Sequence, residues 1–196
     1  MNNKRFAPYI VGGIIVLLVV FAISTYNGLV KKEERVKLQW NEVQNAYQRR
    51  IDLIPNLVNV VKGQTDFEQG TLIQLTEARS KATAIIGSAN EITAENFNQQ
   101  SEAQNQLASA ANRFVITIEK YPQLKGAEAF AGLQVQLEGT ERRIKFARKD
   151  FNTAIADYNS SVRAFPAKMV AGVLGFHAKE GFQSDAGADK SIEIKF

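Results

Sequence analysis

The chain of 196 residues contains no cysteine. That single absence removes disulfides, thiolate metal sites and a cysteine nucleophile together, and fits either side of a membrane. Histidine is nearly absent too, with His177 alone in a glycine-rich region. A di-iron bundle draws Glu-x-x-His pairs from two helices. Here a second histidine is missing, and Leu174 rather than a carboxylate stands three residues before His177. A Ser-His-Asp triad would depend on the same histidine, and no Gly-x-Ser-x-Gly elbow accompanies it. Asp189-Lys190-Ser191 resembles the end of a phosphate loop but lacks the glycine, the preceding strand and the following helix. No catalytic, cofactor-binding or metal-ligating residue is assigned, and the chain reads as a non-enzyme without a cofactor. An excess of one charge is also missing: 24 basic against 20 acidic residues give +4, too balanced to indicate nucleic acid. Proline is scarce, at four, as long helices require.

What the chain does have is one uninterrupted apolar run, from Tyr9 to Ile23. With its flanks, residues 6–26, it reaches the ~20 residues that a helix needs to cross a bilayer. Three readings compete: a permanent anchor, a cleaved signal peptide and a buried core helix. Tyr9 and Tyr26 bracket the run as interfacial aromatics, and Lys4, Arg5, Lys31 and Lys32 lie just outside it. Ala22-Ile23-Ser24 loosely fits a cleavage site, but the apolar core is long for a signal and helix-compatible sequence continues beyond it. A run apolar on every side argues against a core helix. The anchor is the favoured reading, with the lipid bilayer as partner of residues 6–26. Basic residues are slightly denser after the run than before it, which favours a cytoplasmic carboxyl-terminal domain.

Beyond the run the periodicity is helical. Val36, Trp40, Val43, Tyr47, Ile51 and Ile54 make one stripe, and Asn27-Gly28 is the only weak point between anchor and stripe. Pro55 should bend or break this first helix, which closes near Lys62-Gly63-Gln64. A second helix is predicted over about 66–86, with Leu72, Leu75, Ala78, Ala82 and Ile85 inward. Thr93 and Glu95 mark the start of a third. Its stripe is Phe97, Gln100, Gln104, Leu107, Ala111, Phe114, Ile118 and Tyr121, and the two glutamines predict a more exposed beginning. Tyr121-Pro122 stops it, and Leu124-Lys-Gly126 makes the turn. A fourth helix is predicted over about 127–165, with Phe130, Leu133, Leu137, Thr140, Ile144, Ala147, Phe151, Ala154, Tyr158, Val162 and Phe165 in register. The fold class is thus all-α: an antiparallel bundle of about four long helices with coiled-coil-like packing, preceded by a single amino-terminal transmembrane helix. The expected division is 1–26 for the anchor segment, 27–166 for the bundle and 167–196 for a loosely ordered glycine-rich tail with a strand-like end.

Read together, Tyr26-Asn27-Gly-Leu-Val30, Trp40, Gln48-Arg-Arg-Ile-Asp-Leu-Ile-Pro-Asn-Leu-Val58, Glu119-Lys-Tyr-Pro-Gln-Leu-Lys125, Glu141-Arg-Arg-Ile144, Ala147-Arg148, Phe151-Asn152, Tyr158-Asn159 and Phe165-Pro166 resemble the LemA family of bacterial membrane-anchored proteins. Phe151 departs from a Tyr-Asn pair in the family pattern, keeping the ring and losing a hydroxyl. The resemblance implies one amino-terminal membrane helix, an antiparallel helical bundle, an amino terminus outside the cytoplasm and no established reaction, substrate or cofactor.

Three constellations remain. Arg142, Lys145 and Lys149 share one face of a densely charged stretch. Such a face is either solvated and locally paired or a contact for anionic lipid or an acidic partner. Glu141 and Arg148, seven apart, together with Arg50, Asp52, Glu77 and Arg79, are candidates for paired polar layers inside the bundle, setting helix register rather than catalysing. Ile54-Pro55, Tyr121-Pro122 and Phe165-Pro166 either end helices or gather at a docking end. The function expected from all of this is a membrane-anchored interaction or scaffold protein of the bacterial plasma membrane. It would engage an unidentified protein partner or a second copy of itself; the alternative is an accessory or regulatory subunit of a membrane enzyme or protease.

Overall fold

The computed structural model describes residues 7–62, 67–88, 93–125 and 128–182. Among these the elements are all helical: α1 (Ala7–Val61), α2 (Gln69–Ser88), α3 (Ala94–Ile118), α4 (Pro122–Lys125), α5 (Glu128–Arg163) and α6 (Ala167–Val173). The described residues form two compact units. One gathers the chain up to Asn41 with Asp150–Lys179, and the other gathers Glu42–Lys149 with the residues from Glu180.

In the first unit α1 carries two environments in succession. The apolar run is exposed from Tyr9 to Val20, with Tyr9 79%, Leu17 69% and Val20 61% accessible, and only Phe21 and Ala22 near its end are half-buried; this segment is long and apolar enough to cross a membrane. That exposure removes the reading of a buried core helix. Asn27-Gly28 does not interrupt the helix. From Leu29 onward the chain buries one stripe, Leu29, Val36 and Trp40. These lie against α5, whose Phe151 ring sits 5.2 Å from that of Trp40. The two helices run antiparallel: Trp40 meets Phe151, while Lys32, earlier on α1, donates to the backbone oxygen of Asp157, later on α5. Phe151 is fully buried, so the ring without a hydroxyl avoids placing another polar atom in this contact.

In the second unit the core is Ile51, Ile54, Leu57, Leu75, Ala82, Leu107, Phe114, Ile118, Phe130 and Leu137, drawn from α1, α2, α3 and α5. α2 and α3 are antiparallel, since Lys120 reaches Glu68 and Lys81 reaches Gln106. The inward positions predicted on α2 hold, with Leu75 and Ala82 buried and Leu72, Ala78 and Ile85 packed at the margin. The predicted cap of α3 also holds: the Asn96 amide donates to the Thr93 hydroxyl at 3.2 Å, with Glu95 in the first turn. Pro122 opens α4 at the position where a missing N–H costs nothing. Leu124, expected in a turn, is instead buried in that short helix.

Four expectations are corrected. Pro55 does not break α1, which continues to Val61, where the sequence pattern also carries it. A proline there leaves the carbonyl of Ile51, four residues back, without its helical donor. The Nε–H of Arg79 on α2 reaches that carbonyl at 3.4 Å, and buried Leu53, Ile54 and Leu57 hold the surrounding turns. Gln100 and Gln104 are not an exposed beginning of α3; each is only 1% accessible, for reasons given below. Phe165 leaves the α5 stripe, because α5 ends at Arg163, and it is 83% exposed. The chain beyond 166 is not loose as far as it is described. Residues 167–173 form α6, Gly175 at φ +78° caps it, and the Phe176 amide donates to the Ala171 carbonyl in the pattern of a Schellman turn. Asn159 then clamps the Lys179 backbone through two hydrogen bonds of 2.7 and 2.8 Å, and Lys179 pairs with Glu33 at 3.0 Å. Gly63, Gln64, Gly126 and the strand-like end over 191–196 lie outside the described residues.

The Pro55–Arg79 relationship gives a first prediction. Arg79→Ala lowers stability by about 1 kcal/mol, the worth of one hydrogen bond. In a Pro55→Ala background, where the backbone amide at position 55 serves the Ile51 carbonyl, the same change costs clearly less. Thermal unfolding of the detergent-solubilised protein, followed by circular dichroism, measures both losses; equal losses would show that the carbonyl is not what Arg79 serves.

Candidate functional site: a buried guanidinium and a basic helix face

Arg50 lies on the stripe side of α1, and its side chain is 3% exposed. A guanidinium there must be paired, since an uncompensated buried charge is strongly destabilising. Its Nη1 donates to the backbone oxygen of Gln104 at 2.9 Å and to the Gln104 Oε1 at 3.1 Å. Its Nη2 donates to the Glu141 carboxylate at 2.5 Å. One side chain of α1 therefore ties α3 and α5 together. The Glu141 side chain is 43% exposed, so one end of the pair stays hydrated while the other is dry.

Around this link the layer is polar and incompletely partnered. The Tyr47 hydroxyl, Arg50 Nε, both amide atoms of Gln100 and the Gln104 Nε2 are buried and make no hydrogen bond within the described protein. Burial pushes the Tyr47 phenol above its ordinary value, with Arg148 and then Arg50 opposing the rise. Ser101 lies close enough to Tyr47 to pull slightly in the same direction as those cations, without meeting hydrogen-bond geometry. Guanidinium, carboxamides and a neutral phenol offer donors and acceptors but no activated nucleophile. The layer's hydrogen bonds join α1 to α3 and α5.

The sequence proposal for this layer is met in part. Arg50 and Glu141 do pair. Asp52 is exposed and accepts from Gln48 at 2.8 Å, Glu77 is exposed, Arg79 serves the Ile51 carbonyl, and the Arg148 guanidinium lies 4.4 Å over the Phe182 ring. Tyr47, Gln100 and Gln104 were missed as members. The signal for the glutamines was present, two amides on an otherwise apolar stripe; what it lacked was the buried cation that Gln104 accepts from.

Arg142, Lys145 and Lys149 are exposed on α5, held outward by buried Ile144 and Ala147. Phe146, 61% exposed, stands among them, one turn from Arg142 and from Lys149. Sequence reading overlooked it because it falls off the core stripe. Pro55 and Pro122 belong to one unit and Pro166 to the other. His177 is exposed, and no group of three or more potential metal ligands occurs among the described residues.

Two predictions follow from the layer's electrostatics. Glu141→Ala strands the Arg50 charge and costs about 3 kcal/mol, whereas Arg50→Met combined with Glu141→Leu recovers most of that loss; chemical denaturation of the three proteins separates the cases. Tyr47 contributes through its raised pKa. The unfolded phenol ionises first, so stability is unaffected below pH ~10 and falls as pH rises above it toward the folded value. Tyr47→Phe is accordingly near-neutral or stabilising at pH 7 and flattens the alkaline loss, as read from melting temperatures between pH 8 and 11. An unchanged alkaline slope would assign the loss to other groups.

Known proteins resemble this chain along most of its length. It is 25% identical to "Magnetosome protein MamQ 2" of Paramagnetospirillum magneticum, over 91% of this chain and 74% of that protein. The corresponding MamQ of Magnetospirillum gryphiswaldense is 23% identical over 91% of this chain and 72% of its own length. "Protein LemA" of Metamycoplasma hominis is 22% identical over 83% and 70%. The family model described as LemA family matches residues 39–196, which takes in Arg50, Gln104, Glu141 and the basic face of α5. The chain belongs to the LemA family.

Proposed function

We propose that this protein is a membrane-tethered interaction module: α1 holds it in the plasma membrane, and the basic face of α5 captures an acidic partner. The observation that carries the reading is the change of environment along α1. Its first part is uncovered and apolar, and its later part is a packed stripe carrying a buried guanidinium. A helix so divided suits a span in lipid that continues into a bundle in water. Tethering keeps the bundle in a thin layer beside the bilayer and raises its effective concentration for membrane-bound partners. The charge pattern around the span favours a cytoplasmic bundle.

Arg142, Lys145 and Lys149 supply cationic reach, and Phe146 among them supplies apolar area, a combination suited to the centre of an interface. None of these side chains is needed for the core, so the face is free to vary its partner without altering the bundle. The basic face with Phe146 at its centre supports an interaction role. In the second reading the captured partner is itself a membrane enzyme or protease, and this chain is its accessory subunit.

The test is crosslinking in intact cells with the full-length protein, beside a version without residues 1–26 and the triple reversal Arg142→Glu, Lys145→Glu, Lys149→Glu. Loss of a reproducible partner from both variants, with helicity unchanged in the triple variant, is the expected result. Capture unaffected by charge reversal would overturn the role of α5. A recovered partner with catalytic activity would favour the accessory-subunit reading.

A further inference from the structure

The segment that follows α5 presents its own apolar face. Phe165 is 83% exposed, Met169 66%, Val173 86% and Leu174 47%. In α6 Met169 and Val173 are one turn apart, while Ala171, 1% exposed, lies on the opposite side and docks the helix. A seven-residue helix that buries an alanine and exposes its large side chains has its apolar surface on the wrong side for a water-soluble protein.

Its place within the first unit says what covers it. Lys32 on α1 meets Asp157 on α5, and the two helices are antiparallel. Arg163 lies as far beyond Asp157 on α5 as Tyr26 lies before Lys32 on α1, so α5 ends at the level of Tyr26. A second contact agrees: the Phe176 ring, just past α6, packs edge-on against Tyr26 at 5.8 Å between centroids. Tyr26 closes the exposed apolar span of α1. The segment between Phe165 and Leu174 thus lies near the level of Tyr26, where the apolar span ends. Gly175 at φ +78° and the Asn159 clamp on Lys179 fix the segment there rather than leaving it to swing away.

We propose that Phe165, Met169, Val173 and Leu174 form a second, interfacial membrane contact, lying in the headgroup–acyl boundary of the leaflet in which α1 ends. Lys168 and Arg163, both exposed, reach outward to lipid phosphates as the apolar side chains enter. The inference rests on the reading of α1 as a transmembrane anchor. Its consequence is mechanical: one helix alone leaves the emerging chain free to swivel, whereas a second contact beside the exit point fixes the orientation in which α5 leaves the membrane surface.

The native absence of cysteine makes the test clean. Single variants Val16→Cys, Val135→Cys, Met169→Cys and Val173→Cys of the full chain are labelled with an environment-sensitive fluorophore. Each is placed in vesicles of phosphatidylcholine and phosphatidylglycerol with or without brominated acyl chains. The expected result is strong bromolipid quenching at position 16, clear and shallower quenching with blue-shifted emission at 169 and 173, and little change at 135. Quenching at 16 with none at 169 and 173 overturns the interfacial contact and leaves the anchor standing. Absence of quenching at 16 overturns the anchor and the contact with it. Blue-shifted emission at 169 and 173 that depends on protein concentration, but not on bromine, would assign the face to a second copy and overturn the proposal. The triple variant Phe165→Ser, Met169→Ser, Val173→Ser with the label at Leu174→Cys should lose the quenching while retaining its circular dichroism.

Discussion

The second unit depends on one buried charge. Arg50 is a buried guanidinium, so its position dictates what α3 and α5 must bring to meet it: a backbone oxygen and an amide from Gln104, and a carboxylate from Glu141. Slipping any of the three helices by one turn would separate the guanidinium from its partners and bury it bare, the outcome folding avoids most strongly. Apolar side chains such as Ile51, Leu107 and Leu137 fill space but tolerate neighbouring registers. The polar layer discriminates among those registers.

The same guanidinium chemistry keeps α1 whole. Pro55 removes the donor that Ile51 needs, and Arg79 supplies another from α2. A residue that normally ends a helix is tolerated because a neighbouring helix satisfies what it leaves exposed. The two arginines therefore act in different ways, Arg50 by requiring partners and Arg79 by being one.

The first unit answers to a different constraint, the boundary between lipid and water. Its α1 has an uncovered apolar half and a packed half, and the transition falls at Tyr26 and Leu29. Near that transition the chain returns through α6, caps it with Gly175, and is pinned by Asn159 and by the Lys179–Glu33 pair. Burial raises the Tyr158 phenol above its usual value, with Glu33 adding to the effect, and the Lys179 ammonium lies 5.5 Å from that ring. A segment rich in glycine is thus ordered by side chains that belong to α1 and α5.

The all-α class, the apolar span, the inward residues of α2 and the Thr93 cap were legible in the sequence, because each depends on local periodicity or on a contact a few residues away. Arg50 and Glu141 were legible as candidates for a layer, since a charge beside an apolar stripe requires a partner. The sequence could not rank Gln104 above Asp52 or Glu77 as a partner of Arg50, because the ranking depends on how three helices align. Gln104 looked exposed for the same reason: its partner is a cation far away in the chain. The passage of α1 through Pro55 and the ordering of residues 167–182 were likewise decided by tertiary contacts, from Arg79 in one case and from Tyr26, Glu33 and Asn159 in the other. Composition and spacing determined that this chain makes long helices and meets a membrane; only the packed structure decided their register, because register is set by partners that the sequence holds far apart.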